Sequence, residues 1–369
     1  MDRVYNFSAG PSMLPLPVLE KAAKELVNFD NTGTSVMEMS HRSAPFEAII
    51  AQTEQRLRQL MAIPNNYKVL FLQGGATLQF AAVCYNLLTG SGKADYVVTG
   101  QFSRKAMEEA QKYGDIRMVA SSEDRNNTYI PKLGPDDFRQ DADYVHICLN
   151  NTIYGTKWPY IPDTGKVPLV ADVSSCILSE PIDVSRFAVL YAGAQKNMAP
   201  AGLTVVIVRE DMLGHARPDT PVMLDWAIMA KNDSMYNTPP CYPIYMAGLN
   251  FDWLLNDVGG LEKMAHQNRE KAALLYGYLD SQDYYQAPVE KEARSLMNVT
   301  FVTGDEQLDK AFAKAAEAEG LISLKGHRSV GGMRASIYNA MPYEGVDKLV
   351  AFMQMFALAH PKFPKESKQ

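Results

Sequence analysis

The feature that most limits the fold of this chain is an alternation of short apolar runs with longer amphipathic stretches. Between residues 15 and 255, the runs KVLFL (68–72), DYVVT (95–99) and IRMVA (116–120) are separated by segments with helical periodicity. Four more apolar runs follow between residues 144 and 208. Strands that alternate with helices are typical of a parallel sheet with helices on its faces. The sequence therefore predicts an α/β fold with a mainly parallel sheet of seven strands.

The pattern changes after Asp257, where a long helical run begins and shorter strands and helices follow. A chain of 369 residues is also too long for one ordinary hydrophobic core. We predict a large domain over residues 1–257 and a smaller α+β domain over residues 258–369. Residues 1–15 are expected to pack with the smaller domain.

Charge and composition disfavour several classes of partner. The formal net charge is -6 and the basic residues are scattered, so neither nucleic acid nor an anionic membrane is an expected partner. The N-terminus is interrupted by prolines, and no window approaches the roughly 18 apolar residues of a membrane helix. The 4 cysteines form no CxxC pair, so neither a zinc site nor a disulfide framework is predicted. These features predict a cytoplasmic protein.

Two polar residues follow apolar strands in the segment 167–208. Asp172 ends one run, and Lys196 comes a few residues after another, where parallel strands present ligand-facing groups. A lysine amine condenses with the aldehyde of pyridoxal phosphate (PLP), and a carboxylate beside the pyridine nitrogen keeps that nitrogen protonated. An isolated Asp and Lys are more often a turn cap and a solvated side chain. The small, weakly polar residues around Lys196 favour the PLP interpretation.

A second motif, QGGATLQF, runs from a strand through two glycines into a helix. The backbone amides of Ala76 and Thr77 at that helix start suit a phosphate group. Taken alone the motif is weak, because strand-Gly-Gly-helix junctions are also common as tight turns. The absence of GxGxxG and GxxxxGK[ST] patterns disfavours dinucleotides and nucleoside triphosphates.

Aromatic, hydroxyl and cationic residues complete the candidate set. Phe102 can stack on a planar ring, although a Phe at a helix start is more often core, and Thr152 can bond a phenolic oxygen or serve a turn equally well. Arginine is matched to carboxylates and phosphates because its planar fork donates two parallel bonds. The remaining candidates for anion binding are two His-Arg pairs and one further arginine, namely His41, Arg42, His327, Arg328 and Arg334.

The ordered motifs of the whole chain resemble the phosphoserine aminotransferases, which are class V aminotransferases with the PLP-dependent fold type I architecture. The resemblance rests on NFSAGPSMLP, SHRS, QGGATLQF, ADVSS, PIDVSRF, YAGAQKN, SMYNTPP and GHRSVGGMRASIYNAMP.

The resemblance implies a role for each candidate residue. Lys196 would carry PLP covalently, and Asp172 would pair with its pyridine nitrogen. The cofactor phosphate would be held by Ala76, Thr77 and Gln195, and the ring by Thr152 and Phe102. Asn237 and Thr238 would touch the same phosphate from the neighbouring subunit, which implies a homodimer with shared active sites. Arg334 would bind the substrate α-carboxylate, and a phosphate or carboxylate of the substrate side chain would be held by His41, Arg42, His327 and Arg328.

The implied reaction is amino transfer between glutamate and 3-phosphohydroxypyruvate, which gives phosphoserine and 2-oxoglutarate in serine biosynthesis. A phosphorylated threonine analogue of vitamin B6 biosynthesis remains open as a second substrate. Three positions depart from the family pattern: Phe102 is often Trp, Thr77 is Arg in some members, and Ala199 is usually Gly. A cysteine desulfurase of the same fold is disfavoured because no Cys follows Cys241. A non-catalytic scaffold is disfavoured because it has no use for a reactive amine beside a buried acid.

Overall fold

A seven-stranded sheet organises most of the chain in a computed structural model that describes residues 3–362. Residues 1–2 and 363–369, at the outer ends of the two predicted domains, lie outside the described residues. The described strands are β1 (Tyr5–Asn6), β2 (Tyr67–Leu72), β3 (Lys93–Val98), β4 (Asp115–Ser121), β5 (Tyr144–Cys148), β6 (Asn150–Asn151), β7 (Thr156–Lys157), β8 (Leu169–Asp172), β9 (Val189–Gly193), β10 (Thr204–Arg209), β11 (Asn298–Phe301), β12 (Leu321–Ile322) and β13 (Met333–Ser336). The described α-helices are α1 (Leu16–Glu25), α2 (Ala44–Met61), α3 (Gly75–Leu87), α4 (Gln101–Ala110), α5 (Trp226–Lys231), α6 (Cys241–Asp252), α7 (Leu261–Asp280), α8 (Glu306–Ala318) and α9 (Tyr343–Ala359).

The main sheet has the strand order β2-β10-β9-β8-β5-β3-β4. The five strands from β9 to β4 are parallel to one another, whereas β10 is antiparallel to both β9 and β2. The predicted α/β fold with a mainly parallel sheet of seven strands is therefore confirmed.

The central strands are buried throughout because both faces of the sheet are covered. All five residues of β5 and of β9 are buried. Alternate residues of one strand belong to different hydrophobic clusters: Leu190 and Ala192 lie in one, and Val189 and Tyr191 in the other. This arrangement places the carboxyl ends of β5, β8 and β9 together at one edge.

A third hydrophobic cluster combines the C-terminal helices and strands with a residue from the start of the chain. Phe7 packs with residues of α7, α8 and α9, and β1 pairs in parallel with β12. The N-terminal segment thus joins the C-terminal elements through both packing and backbone hydrogen bonds. The division at residues 257 and 258 stays a prediction.

Two stretches differ from the elements expected from the sequence. The sequence pattern predicts a first helix over about 16–29, but α1 ends at Glu25, and Val27 beyond it is 78% exposed and packs against no core. Helix α6 was not expected, because its sequence CYPIYMAGLNFD has no polar face and its buried residues surround the helix. Among residues 3–362, no helix combines the length and the apolar character needed to cross a bilayer.

Candidate active site

A cavity of about 340 Å³ lies at the carboxyl edge of the main sheet, where β5 and β8 end and α3 and α4 begin. Most of the residues singled out in the sequence line this one cavity. They are Ala76, Thr77, Phe102, Thr152, Asp172, Gln195, Lys196, His327, Arg328 and Arg334.

Lys196 is held from three directions at this cavity. Its Nζ donates a hydrogen bond to Thr152 Oγ1 at 2.6 Å and lies 5.7 Å from the centre of the Phe102 ring. Its carbonyl accepts a hydrogen bond from the Ser12 hydroxyl, and the Ser12 amide donates to Gln195 O at 2.9 Å. Burial lowers the pKa of Lys196, the Asp172 carboxylate opposes this, and Arg334 lowers it further. The Thr152 hydroxyl therefore holds the amine, Ser12 holds the main chain beside it, and burial shifts the amine toward its neutral, nucleophilic form.

Asp172 is a buried carboxyl group at the end of β8, with only 6% of its surface exposed. Its Oδ1 accepts a hydrogen bond from the Ser174 amide at 2.9 Å, and Ser174 Oγ accepts one from the Gly193 amide at 3.0 Å. Burial raises the pKa of Asp172, while the Ser174 hydrogen bond and the charge of Lys196 lower it. A buried carboxylate with few donors of its own is suited to a protonated ligand nitrogen.

The N-terminus of α3 opens into the cavity. Gly74 and Gly75 have φ angles of 90° and 68°, which belong to the left-handed region that glycine adopts readily. No side chain caps the first turn and no acidic residue lies in it, so the amides of Ala76 and Thr77 remain available to an anion. Gln195 lines the cavity close by.

Several cationic side chains line the same cavity. Arg334 Nη1 donates to Thr152 O at 3.2 Å, whereas Arg334 Nε is buried without a hydrogen-bond partner among the described residues. Burial lowers the pKa of His327, and the nearby charges of Arg334, Arg328 and Lys105 lower it further. An unpaired buried guanidinium nitrogen among several cations indicates a site for an anionic ligand.

Four predicted site residues do not line this cavity in their own chain. Asn237 lines a separate cavity of about 340 Å³ with Gln73 and Gly74, and the carbonyl of Thr238 accepts a hydrogen bond from Gln73 Nε2 at 3.2 Å. His41 and Arg42 lie in the turn before α2, and His41 Nε2 is buried without a partner among the described residues.

A larger cavity of about 1170 Å³ lies elsewhere, between the N-terminal segment, α7 and the start of α9. It contains none of the candidate residues. Its size alone therefore does not mark it as the site of chemistry.

Comparison with known proteins identifies the family. The class V aminotransferase family model matches residues 4–349. The phosphoserine aminotransferase of Bacillus cereus is 54% identical over 358 residues, which cover 97% of this chain and 99% of that protein. The chain belongs to the class V aminotransferases.

Solved structures of similar sequence share the whole fold of this class V aminotransferase. Phosphoserine aminotransferase from Bacillus circulans subsp. alkalophilus is 48% identical with a TM-score of 0.94, covering 97% of this chain and 99% of that one. The PLP-bound phosphoserine aminotransferase from Trichomonas vaginalis is 39% identical with a TM-score of 0.91, covering 95% and 100%.

The geometry of this class V aminotransferase fits PLP. The uncapped N-terminus of α3, a buried carboxyl group and a lysine amine line one cavity, and groups of these three kinds suit the phosphate, pyridine nitrogen and aldehyde of PLP. The unpaired Arg334 Nε adds a position for a second anionic group.

Several lining residues of this aminotransferase were not recognised in the sequence. Lys105 lies one helical turn after Phe102 on α4, a spacing that places both on one side of the helix. Ser174 follows Asp172 by two residues and shares its turn. Ala9 and Gly10 reach the cavity from the N-terminal segment, and no local pattern reveals that contact.

Proposed function

We propose that this class V aminotransferase uses PLP to transfer an amino group between glutamate and 3-phosphohydroxypyruvate, giving phosphoserine and 2-oxoglutarate. The observation that carries the proposal is the Lys196 amine, which Thr152 holds in a cavity that Asp172 also lines. The same cavity is lined by the basic side chains of Lys105, His327, Arg328 and Arg334. The identity to phosphoserine aminotransferases over nearly the whole chain supports the choice of substrates.

In this proposal each group of PLP has its own partners. The amides of Ala76 and Thr77, with Gln195, would hold its phosphate, and Asp172 would keep its pyridine nitrogen protonated. Thr152 would contact the ring oxygen, and Phe102 would stack on the ring. When bound, PLP accepts the electrons released as a bond at the substrate Cα breaks.

The protein supplies proton transfer and orientation. Lys196 Nζ would take the proton from the substrate Cα, because the amine lies in the cavity and burial favours its neutral form. Arg334 binds the substrate α-carboxylate, with one guanidinium nitrogen already fixed by Thr152 O. These two contacts orient the reacting carbon next to the base.

The rest of the cationic set selects the phosphorylated side chain. The charges of Arg328 and Lys105 both lower the pKa of His327, and all three side chains line the cavity. A phosphate carries more negative charge than a carboxylate and offers three acceptor oxygens, so this set favours phosphoserine over serine or alanine.

The active form in this proposal is a homodimer with shared sites. In a two-fold symmetric dimer each subunit offers the other the same surface. Asn237 and Thr238 would then contact the cofactor phosphate of the second subunit, and His41 and Arg42 its substrate. The absence of these four residues from the lining of their own cavity supports this assignment. The predicted cytoplasmic location stays a prediction.

A substrate panel tests the proposal. Purified protein loaded with PLP is given glutamate with phosphorylated and unphosphorylated keto acids, including the phosphorylated threonine analogue. We expect the highest kcat/KM with 3-phosphohydroxypyruvate. Equal rates with the keto acids of serine or alanine would contradict the role of the cationic set, and a protein that binds no PLP would contradict the proposal as a whole.

A further inference from the structure

The turn over residues 177–179, shortly after Asp172, is held by asparagine side chains from three distant parts of the chain. Each of its three carbonyls accepts a hydrogen bond from a different amide: Asn197 Nδ2 donates to Ile177 O at 3.0 Å, Asn339 Nδ2 to Leu178 O at 2.8 Å, and Asn268 Nδ2 to Ser179 O at 2.9 Å. We call these three residues the asparagine clamp.

The turn requires such support because its central residue has an unfavourable backbone. Leu178 has a φ of 61° and is completely buried. The left-handed conformation costs a residue with a β-carbon roughly 1–2 kcal/mol, and an unpaired buried carbonyl adds to this cost. The amides of the clamp stabilise this conformation.

Asn339 connects the members of the clamp. Its main-chain amide donates to Asn197 Oδ1 at 3.0 Å, and its own Oδ1 accepts from Asn268 Nδ2 at 2.9 Å. All three side chains are buried, with 4%, 0% and 6% of their surfaces exposed for Asn197, Asn268 and Asn339. Hydrogen bonds in such a buried network are electrostatically stronger than in water. Asn268 Oδ1 is the exception, since it is buried without a hydrogen-bond partner among the described residues.

The clamp joins the segments that carry the proposed chemistry. Asn197 directly follows Lys196, and Asn339 lies three residues after the end of β13, the strand that carries Arg334. The turn that the clamp holds continues from Asp172. One network therefore contacts the three segments that carry Lys196, Asp172 and Arg334.

Lys271 fixes the loop from which Asn339 projects. It lies one helical turn after Asn268 on α7, is 2% exposed, and donates from Nζ to the carbonyls of Tyr338 and Met341 at 2.9 Å each. Burial lowers the pKa of Lys271 to about 7, while the surrounding carbonyls favour its ammonium form. The loop over residues 337–341 is thereby tied to the same helix as the clamp.

We propose that Asn339 is a positioning residue that holds Asp172, Lys196 and Arg334 at their working separations through Asn197 and Asn268. The inference rests on the proposed function, because it assigns the network to those three groups. Reactions that depend on oriented groups are sensitive to displacements of the order of 1 Å, which lower rates by about 100-fold.

The test compares Asn339→Ala with a matched control in the PLP-loaded protein. Asn86 is the control because it is likewise buried, with 2% of its surface exposed, and its Nδ2 donates to the carbonyls of Ala82 and Leu224 outside the cavity. For each variant we would measure the pH titration of the bound cofactor's absorbance, kcat and KM for glutamate, and the thermal unfolding midpoint.

We expect Asn339→Ala to lower kcat by about tenfold or more and to shift the midpoint of the absorbance titration by about half a pH unit or more. Asn86→Ala should lower the thermal unfolding midpoint without changing kcat or the midpoint of the absorbance titration. An unchanged titration and kcat in Asn339→Ala, or equal changes in the control, would overturn the proposal.

Two further outcomes are distinguishable. If Asn339→Ala does not fold, Asn339→Ser and Asn268→Ala are measured in the same way, and wild-type titrations in both overturn the positioning role. If the wild-type protein binds PLP but does not act on phosphoserine, the proposed function fails on its substrate. The absorbance titration then still decides whether the clamp positions the cofactor site.

Discussion

Asp172 is buried and accepts a main-chain hydrogen bond from Ser174. Its proposed role, to keep the pyridine nitrogen of PLP protonated, depends on its negative charge. The substitution Asp172→Asn preserves the size of the side chain and the acceptor for the Ser174 amide but removes that charge. We expect kcat to fall by about 100-fold or more, because a neutral amide does not keep a pyridine nitrogen protonated. PLP should remain attached through Lys196, as measured by absorbance. A variant with normal kcat would remove Asp172 from the mechanism.

Arg328 is an exposed residue that nevertheless lines the cavity, which suits a contact with the outer part of the substrate. Hydrogen bonds to charged groups are worth about 1.5–3 kcal/mol, or roughly 10- to 100-fold in binding. We expect Arg328→Ala to raise KM for the phosphorylated keto acid by this factor and to leave unphosphorylated keto acids little changed. The exposed Arg186, outside the cavity, serves as the control in Arg186→Ala. Equal losses for both kinds of substrate would indicate a general structural effect.

At the scale of the element, the start of α3 depends on a backbone that glycine adopts easily. A Cβ on Gly75 would meet no atom within 4 Å, so Gly75→Ala introduces backbone strain at φ 68° without a clash. Gly304 is a matched control, with φ 83° and equally open space in the loop before α8. We expect both alanine variants to lose about 1–2 kcal/mol of stability. Only Gly75→Ala should weaken PLP binding, measured by titration of the apoprotein with PLP. Equal PLP affinities in the two variants would contradict the proposed phosphate site at the start of α3.

At the scale of the whole molecule, His146 couples stability to pH. It is stacked on Tyr96, its Nε2 lies 2.7 Å from Tyr191 Oη, and burial lowers its pKa to about 3. The unfolded chain binds a proton at this histidine near pH 6.5 and the folded chain does not. Stability is therefore lost as the pH falls from about 6.5 toward 3, by up to about 1.4 kcal/mol per pH unit.

The variant His146→Gln should show a smaller loss of stability between pH 7.5 and 5.5 than the wild type, measured by urea unfolding. The pH values are chosen around the unfolded pKa of about 6.5. His266→Gln is the control, because the His266 side chain is 69% exposed. Identical pH dependence in wild type and His146→Gln would show that His146 does not remain neutral in the folded protein.

Subunit complementation tests the shared sites. A dimer made of one Lys196→Ala chain and one Arg42→Ala chain has one site with both defects and one site with neither, if Arg42 acts in the partner's site. Co-expression with two affinity tags isolates this hybrid. We expect about half of the wild-type activity per dimer, whereas each parent variant is nearly inactive. A hybrid no more active than its parents would assign Arg42 to its own chain.

Local sequence was sufficient to predict the strands of the main sheet and the polar residues at their ends. The apolar runs form the buried strands of the main sheet. Asp172 ends β8 and Lys196 follows β9 by three residues, so both lie at the cavity where these strands end. Helix α6 was missed because burial around its whole circumference removes the polar face on which a periodic signal depends.

The sequence by itself determined the order of strands and helices, the residues at the strand ends and the glycine-rich turn that opens α3, because each depends on contacts within a few residues along the chain. Only the tertiary structure brought Ser12 to Lys196 and joined Asn197, Asn268 and Asn339 around one turn. It also left His41, Arg42, Asn237 and Thr238 outside the lining of their own cavity. Such contacts join residues that are far apart in sequence, and hydrogen bonding between them leaves no periodic trace along the chain.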